Sequence, residues 1–241
     1  MCTVSFAGTR NAVIITSNRD EHIGRENAAA PGIYFRGQKK MIFPKDAKAG
    51  GTWFVAADDG TVAVLLNGAF KKHIPDPPYR KSRGLVLLDI TGSDDPPSFF
   101  TTIDLDHIEP FTVILYQPGN LYELRWDGEN KHQQTLDVHG NYIWSSATLY
   151  ADDIIARRKK IFETFVNSGA GITAAELYRF HADDHGDAEN GFVINRQTGM
   201  KTFSITQAVV HPGDIQFLHT DLLQEQRFED RMPINQATIK I

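Results

Sequence analysis

Cysteine occurs once in the 241 residues, at position 2, where loss of the initiator Met would make it the N-terminal residue. A residue so placed holds both a thiol nucleophile and a free α-amine. The amine, with a reference pKa near 8 that burial lowers, can act as general base for its own side chain. The plain alternative is a small hydrophobe packed on a first strand. Asn18-Arg19-Asp20-Glu21 follows. There a carboxylate can hold the α-ammonium, and an arginine can bind a substrate carboxylate or lower the thiol pKa; a solvated polar hairpin end is the other reading. Trp53, beside Gly50-Gly51, can line a pocket for an acyl or ring group or pack in the core. Lys71-Lys72-His73 with Arg80-Lys81 and Arg83 can clamp an anionic substrate at a site edge or form a solvated loop. His181 to Asp187 offers two imidazoles and three carboxylates. Contiguous loop ligands rarely converge on a cation, so no metal site and no cofactor is assigned there.

The elements that must position these residues follow from periodicity. Thr3 to Ala7 and Ala12 to Ser17 read as a hairpin that starts at the N-terminus, and its antiparallel ladder returns the NRDE tetrapeptide to the level of Cys2. Trp53 to Ala57 and Thr61 to Leu66 flank Asp58-Asp59-Gly60 as a second hairpin, approached through a flexible Gly50-Gly51. Lys72 to Arg83, with three prolines, reads as an extended surface loop, and Leu85 to Ile90 and Pro97 to Ile103 as short helices. Phe111 to Tyr116 and Leu121 to Trp126 continue an antiparallel meander. Ala147 to Val166 has helical apolar spacing, with Arg157 to Lys160 assigned to its wet side. Thr173 to Arg179 reads as a helix opened by a Thr173/Glu176 capping box. Gly191 to Asn195, Lys201 to Val210 and Ile215 to His219 read as strands.

Composition bounds the functions. Twenty-five Lys and Arg against 30 Asp and Glu give a formal net charge of −5, with a pI near 6.0 and a mean hydropathy of −0.32. No broad basic surface exists for nucleic acid or anionic membrane. A lone cysteine excludes an intramolecular disulfide and a cysteine-rich metal site. The N-terminus lacks a basic start and an apolar run of roughly 7 to 15 residues, and charges interrupt every later apolar stretch. A cytoplasmic location and no membrane span are therefore expected. Strands surrounding a mid-chain helical block, with no repeat or linker, predict one α+β domain over residues 1–241.

MCTVSF followed by Asn18-Arg19-Asp20-Glu21 resembles the NRDE family, which includes the transport and Golgi organisation 2 proteins. Gly50-Gly51-Thr52-Trp53, Leu66-Asn67-Gly68 and Ser82-Arg83-Gly84 resemble further marks of that family in order and spacing. WSSATLY from Trp144 and GMKTFSI from Gly199 resemble two downstream segments. The resemblance implies a four-layer αββα sandwich of the N-terminal nucleophile hydrolase type, mostly antiparallel, similar to choloylglycine hydrolases and penicillin V acylases. It implies Cys2 as nucleophile and base, Asp20 as holder of the α-amine and Asn67 as oxyanion donor. Asn18, Arg19, Trp53, Ser146 and Lys201 are its candidate substrate-binding residues. Three positions depart from the pattern. Ser17 stands where the amidases carry arginine, Ser146 replaces an asparagine, and Lys201 replaces an arginine. Arg19, next to Asp20, is expected to face away from it on a continuing strand.

Two functions compete. One is an N-terminal-cysteine amidohydrolase acting on a small linear amide or acylated amine after removal of Met1. The other is a non-catalytic carrier on the same fold, with haem as a ligand class and His73, His139 and Cys2 as the conceivable axial ligands. A metal-dependent hydrolase centred on His181 and His185 is a distant third. The expected partner is a small molecule, and homo-oligomerisation is left open.

Overall fold

The computed structural model describes residues 2–169 and 171–235, with Cys2 described in its backbone alone. Four strands open the chain: β1 (Cys2–Gly8), β2 (Val13–His22), β3 (Ala29–Arg36) and β4 (Lys39–Lys45). Next come β5 (Phe54–Ala57), β6 (Val62–Asn67), and the helices α1 (Arg83–Gly92) and α2 (Pro96–Thr102). The meander continues through β7 (Phe111–Gln117), β8 (Asn120–Trp126) and β9 (Lys131–Leu136) to β10 (Asn141–Ser145). After α3 (Asp152–Val166) and α4 (Ala174–His181), β11 (Met200–Val210), β12 (Asp214–Asp221) and β13 (Gln226–Pro233) close the fold.

The strands form two antiparallel sheets, β10-β1-β2-β11-β12-β13 and β3-β4-β5-β6-β7-β8-β9. Alternation on β2 shows why they stack. Val13 and Ile15 join Val4 and Phe6 in the cluster between the sheets, while Ile14 joins Ala7, Phe162, Leu177 and Phe180 beneath α3 and α4. Aromatic pairs bridge the sheets, Phe6 with Tyr116 at 6.0 Å and Phe54 with Phe217 at 5.7 Å between ring centroids. Each such ring, removed from water, contributes about 1.5–3 kcal/mol. The helices α1 and α2 cover the outer face of the second sheet, packing on β5, β6 and β8. The result is a four-layer αββα sandwich. No helix of the described residues is long and apolar enough to cross a membrane.

Most expected elements form, and the Thr173/Glu176 capping box is present in full. Five strands lie outside the expected set. β3, β4 and β13 carry Pro, Gly or many charged residues, β9 is mostly polar and β10 is only five residues long, and their pairing comes from neighbouring strands rather than from their own periodicity. Gly191 to Asn195 is not a strand; it contributes a single bridge between Asn195 and Lys201. At Gly51 the approach is a packing contact and not a flexible one: a Cβ there would sit 2.4 Å from the carbonyl carbon of Gly84.

Candidate active site

The hairpin β1–β2 sets the site. Its register pairs the backbone of Cys2 with Arg19, Thr3 with Asn18 and Val4 with Ser17. The Cys2 side chain lies outside the described residues. Arg19 is 4 % exposed and projects between the sheets. Its guanidinium carbon lies 4.3 Å from the Trp53 ring centroid and 5.5 Å from that of Phe203, a cation–π stack. Its Nη2 also approaches Asp46 Oδ2 at 3.4 Å.

Arg19 and Trp53 line a cleft of about 670 Å³ together with Asn67 from the end of β6. Asn67 is half-buried. Its carbonyl accepts the Ser146 hydroxyl at 2.8 Å, and the chain then turns through Gly68 at φ 81°, a conformation that suits glycine. Ser146 thus acts on the backbone of Asn67 and does not line the cleft. On the near wall Arg25 meets Asp46 at 2.8 Å and Glu21 at 3.6 Å. Burial opposes ionisation of Asp46, yet the Ala49 N–H and the Arg25 guanidinium outweigh it and hold its carboxyl below the ordinary value. On the far wall Arg83 and His73 both reach Glu109 at 3.0 Å.

The even residues of β2 face the other way. Asp20 is wholly buried under α3, receiving the Tyr150 hydroxyl at 2.9 Å and the Thr202 hydroxyl at 2.7 Å. Burial pushes its carboxyl up, against the opposing pull of the Arg158 guanidinium and the two hydroxyls. Asn18 is no lining residue. Its amide donates to the carbonyls of His181 and Phe192 at 2.9 and 3.0 Å, and its Oδ1 receives His181 Nδ1. Lys201, opposite Glu21 on β11, also stands outside the cleft lining.

Arg158 corrects the assignment of residues 157–160 to solvent: it is 1 % exposed. It donates to Ser145 Oγ at 3.0 Å, the Asn190 carbonyl at 2.9 Å, the Gly191 carbonyl and Thr3 Oγ1. The rings of Tyr150 and Phe192 flank it at 4.2 and 4.3 Å. Its signal was in the sequence. Arg158 sits four residues after Ile154 and four before Phe162, inside the apolar stripe of α3.

His181 is fully buried, and desolvation, reinforced by Arg158 and His185, lowers its pKa to about 3. Being neutral, it donates from Nδ1 to Asn18 and accepts the Ser5 hydroxyl at Nε2, 2.7 Å away. The described residues contain no group of three His, Cys, Asp or Glu arranged to hold a metal. Of the other candidate imidazoles, His73 is tied to Glu109 and His139 is exposed in the turn before β10, at the end of β1 remote from Cys2.

The same architecture occurs in solved structures. A variant of the conjugated bile acid hydrolase of Clostridium perfringens superposes with a TM-score of 0.61 at 9 % identity, covering 95 % of this chain and 92 % of that one. A second variant gives 0.57 at 10 %, covering 96 % and 92 %. The N-acylethanolamine-hydrolyzing acid amidase ortholog of Caenorhabditis elegans gives 0.52 at 10 %, covering 86 % and 92 %. Identities this low show the fold alone, and that fold is the N-terminal nucleophile hydrolase type. No curated protein matches the sequence significantly. The family model for Transport and Golgi organisation 2 matches residues 1–208.

Proposed function

The chain belongs to the Transport and Golgi organisation 2 family, and from that premise we propose that it is an N-terminal-cysteine amidohydrolase of small linear amides or acylated amines, formed when Met1 is removed. The observation that carries this reading is the register that sets Cys2 opposite Arg19, at the cleft where Arg19, Trp53 and Asn67 meet.

In the proposed reaction the α-amine of Cys2 takes the thiol proton and the thiolate attacks the amide carbonyl. The Asn67 side-chain amide donates to the oxyanion, an interaction that contributes about 3 kcal/mol when aimed at developing charge. The ammonium returns its proton to the leaving amine as the C–N bond breaks. Water, activated by the same amine, then hydrolyses the thioester and frees the carboxylate. Asp20, buried next to Arg19 in sequence, holds the α-amine in this scheme, and the hydroxyls of Tyr150 and Thr202 fix its carboxylate.

The test is intact mass of untagged protein after brief iodoacetamide treatment, on the wild type and Cys2→Ala, over roughly pH 6 to 9 where thiols and α-amines titrate. Loss of the Met1 mass with one wild-type-only adduct forming below the ordinary thiol pKa is the expected result. A retained Met1 with an inert thiol sinks the proposal.

A further inference from the structure

We infer that the cleft is built to receive an anionic group, a carboxylate or a phosphate, carried by the substrate beside a short apolar moiety. This deepens the amidohydrolase reading and rests on it only for the bond that is cleaved.

Charge is the first support. Arg19, Arg25, Lys48, Lys81 and Arg83 line the cleft against the carboxylates Glu21, Asp46 and Glu109. Lys81 is taken by Asp89 at the cleft edge, which leaves four cations against three acids, a local surplus of one in a chain whose formal net charge is −5. The acids also orient the forks. Arg25 is fixed on Asp46 at 2.8 Å and Arg83 on Glu109 at 3.0 Å, while their side chains remain 35 % and 16 % exposed. Arg25 spends Nε and Nη2 on Asp46, and a guanidinium held this way presents its Nη1 edge in the plane that suits the oxygens of an anion.

Two further features do not depend on those side-chain charges. Ser82, Arg83 and Gly84 open the ten-residue α1 and line the cleft, so the positive end of that helix faces the same space. Trp53 is only 6 % exposed and lines the cleft, yet its indole Nε1–H has no acceptor among the described residues. Buried donors are nearly always satisfied, and indole can only donate. An anionic oxygen in the cleft supplies the missing acceptor. The Trp53 ring with Leu65, Pro77 and Tyr79 provides an apolar wall, and about 670 Å³ lies within the range of small-molecule sites.

The test is calorimetry on Cys2→Ala protein with three probes: N-hexanoylglycine, its neutral glycinamide, and hexyl phosphate. Both anions are expected to bind, and the glycinamide at least about tenfold more weakly, as for loss of a charged hydrogen bond. The difference shrinks in high salt, and it shrinks in Arg25→Gln and in Arg25→Lys, which keeps charge but loses the fork. The tighter anion identifies the head group. Equal binding of acid and glycinamide, or no binding of either anion at millimolar concentration, overturns the inference. Glycine release from hexanoylglycine by wild-type enzyme judges the amidohydrolase reading separately, because calorimetry in Cys2→Ala is independent of turnover.

Discussion

Arg19 and Asp20, neighbours in the chain, lie on opposite faces of β2. The Arg19 guanidinium stacks 4.3 Å from Trp53 in the cleft, whereas the Asp20 carboxylate is held under α3 by Tyr150 and Thr202. A strand period of two sends the two side chains to different surroundings across one peptide bond.

Substitution at the two positions should therefore differ in its cost to stability. Arg19→Leu is expected to cost about 1 kcal/mol of stability, the size of a lost cation–π contact, and to slow alkylation of Cys2. Asp20→Ala is expected to cost about 3 to 5 kcal/mol, because the buried Arg158 loses the carboxylate that offsets it. Urea denaturation of both variants checks this, and equal losses would contradict it.

Arg158→Met should cost about 3 to 5 kcal/mol for the same reason. It also strips the hydrogen bonds at Thr3 Oγ1 and at the Asn190 and Gly191 carbonyls. In combination with Asp20→Asn the losses should be less than additive, with a coupling of at least about 1 kcal/mol. An additive double mutant would show that the two charges do not sense each other.

Acid should destabilise the fold through two imidazoles. Desolvation lowers His181 to about 3 and His219 to about 4, where Arg19 adds to the effect. The unfolded chain takes up these protons near pH 6.5 while the native one does not, so stability falls as pH drops from about 6.5 toward the folded values. Each ring adds a slope of up to about 1.4 kcal/mol per pH unit. Thermal melts between those limits, repeated on His219→Gln, should show a shallower acid limb in the variant.

Two adjacent glycines should respond differently to alanine. Gly50 has φ 70° with nothing near an added Cβ, so Gly50→Ala costs only the left-handed backbone, about 1–2 kcal/mol. At Gly51 the new methyl meets backbone at 2.4 and 2.5 Å and must displace α1, whose first turn lines the cleft. Gly51→Ala should lower anion affinity as well as Tm, and Gly50→Ala only Tm. Loss of affinity in both would discount the packing argument.

Much of this architecture was legible because its signals are local. The hairpin β1–β2, the meander from β5 to β8 and the capped α4 all carry their own turn or cap chemistry. The edge strand β3 and the late strand β10 do not. Asn141 to Ser145 becomes a strand because β1 offers it a ladder from more than 130 residues away. The site divides in the same way. Alternation set Arg19 and Asp20 on opposite faces, and a family mark brought Asn67 to the cleft. Asn18 and Ser146 carry polar groups that their sequence neighbours do not explain. Their partners, the His181 and Phe192 carbonyls and the Asn67 carbonyl, are tertiary.

The position of β1 has a temporal meaning. It is an interior strand, flanked by β2 on one side and β10 on the other. The first neighbour exists once residue 22 has been made, and the second only after residue 145. A two-stranded ribbon alone is marginally stable in water, and at ordinary translation rates the intervening segment takes on the order of 10 s to synthesise. During that interval β1 holds only one of its two neighbours, and its outer edge from Thr3 to Ala7 stays open until β10 pairs with it.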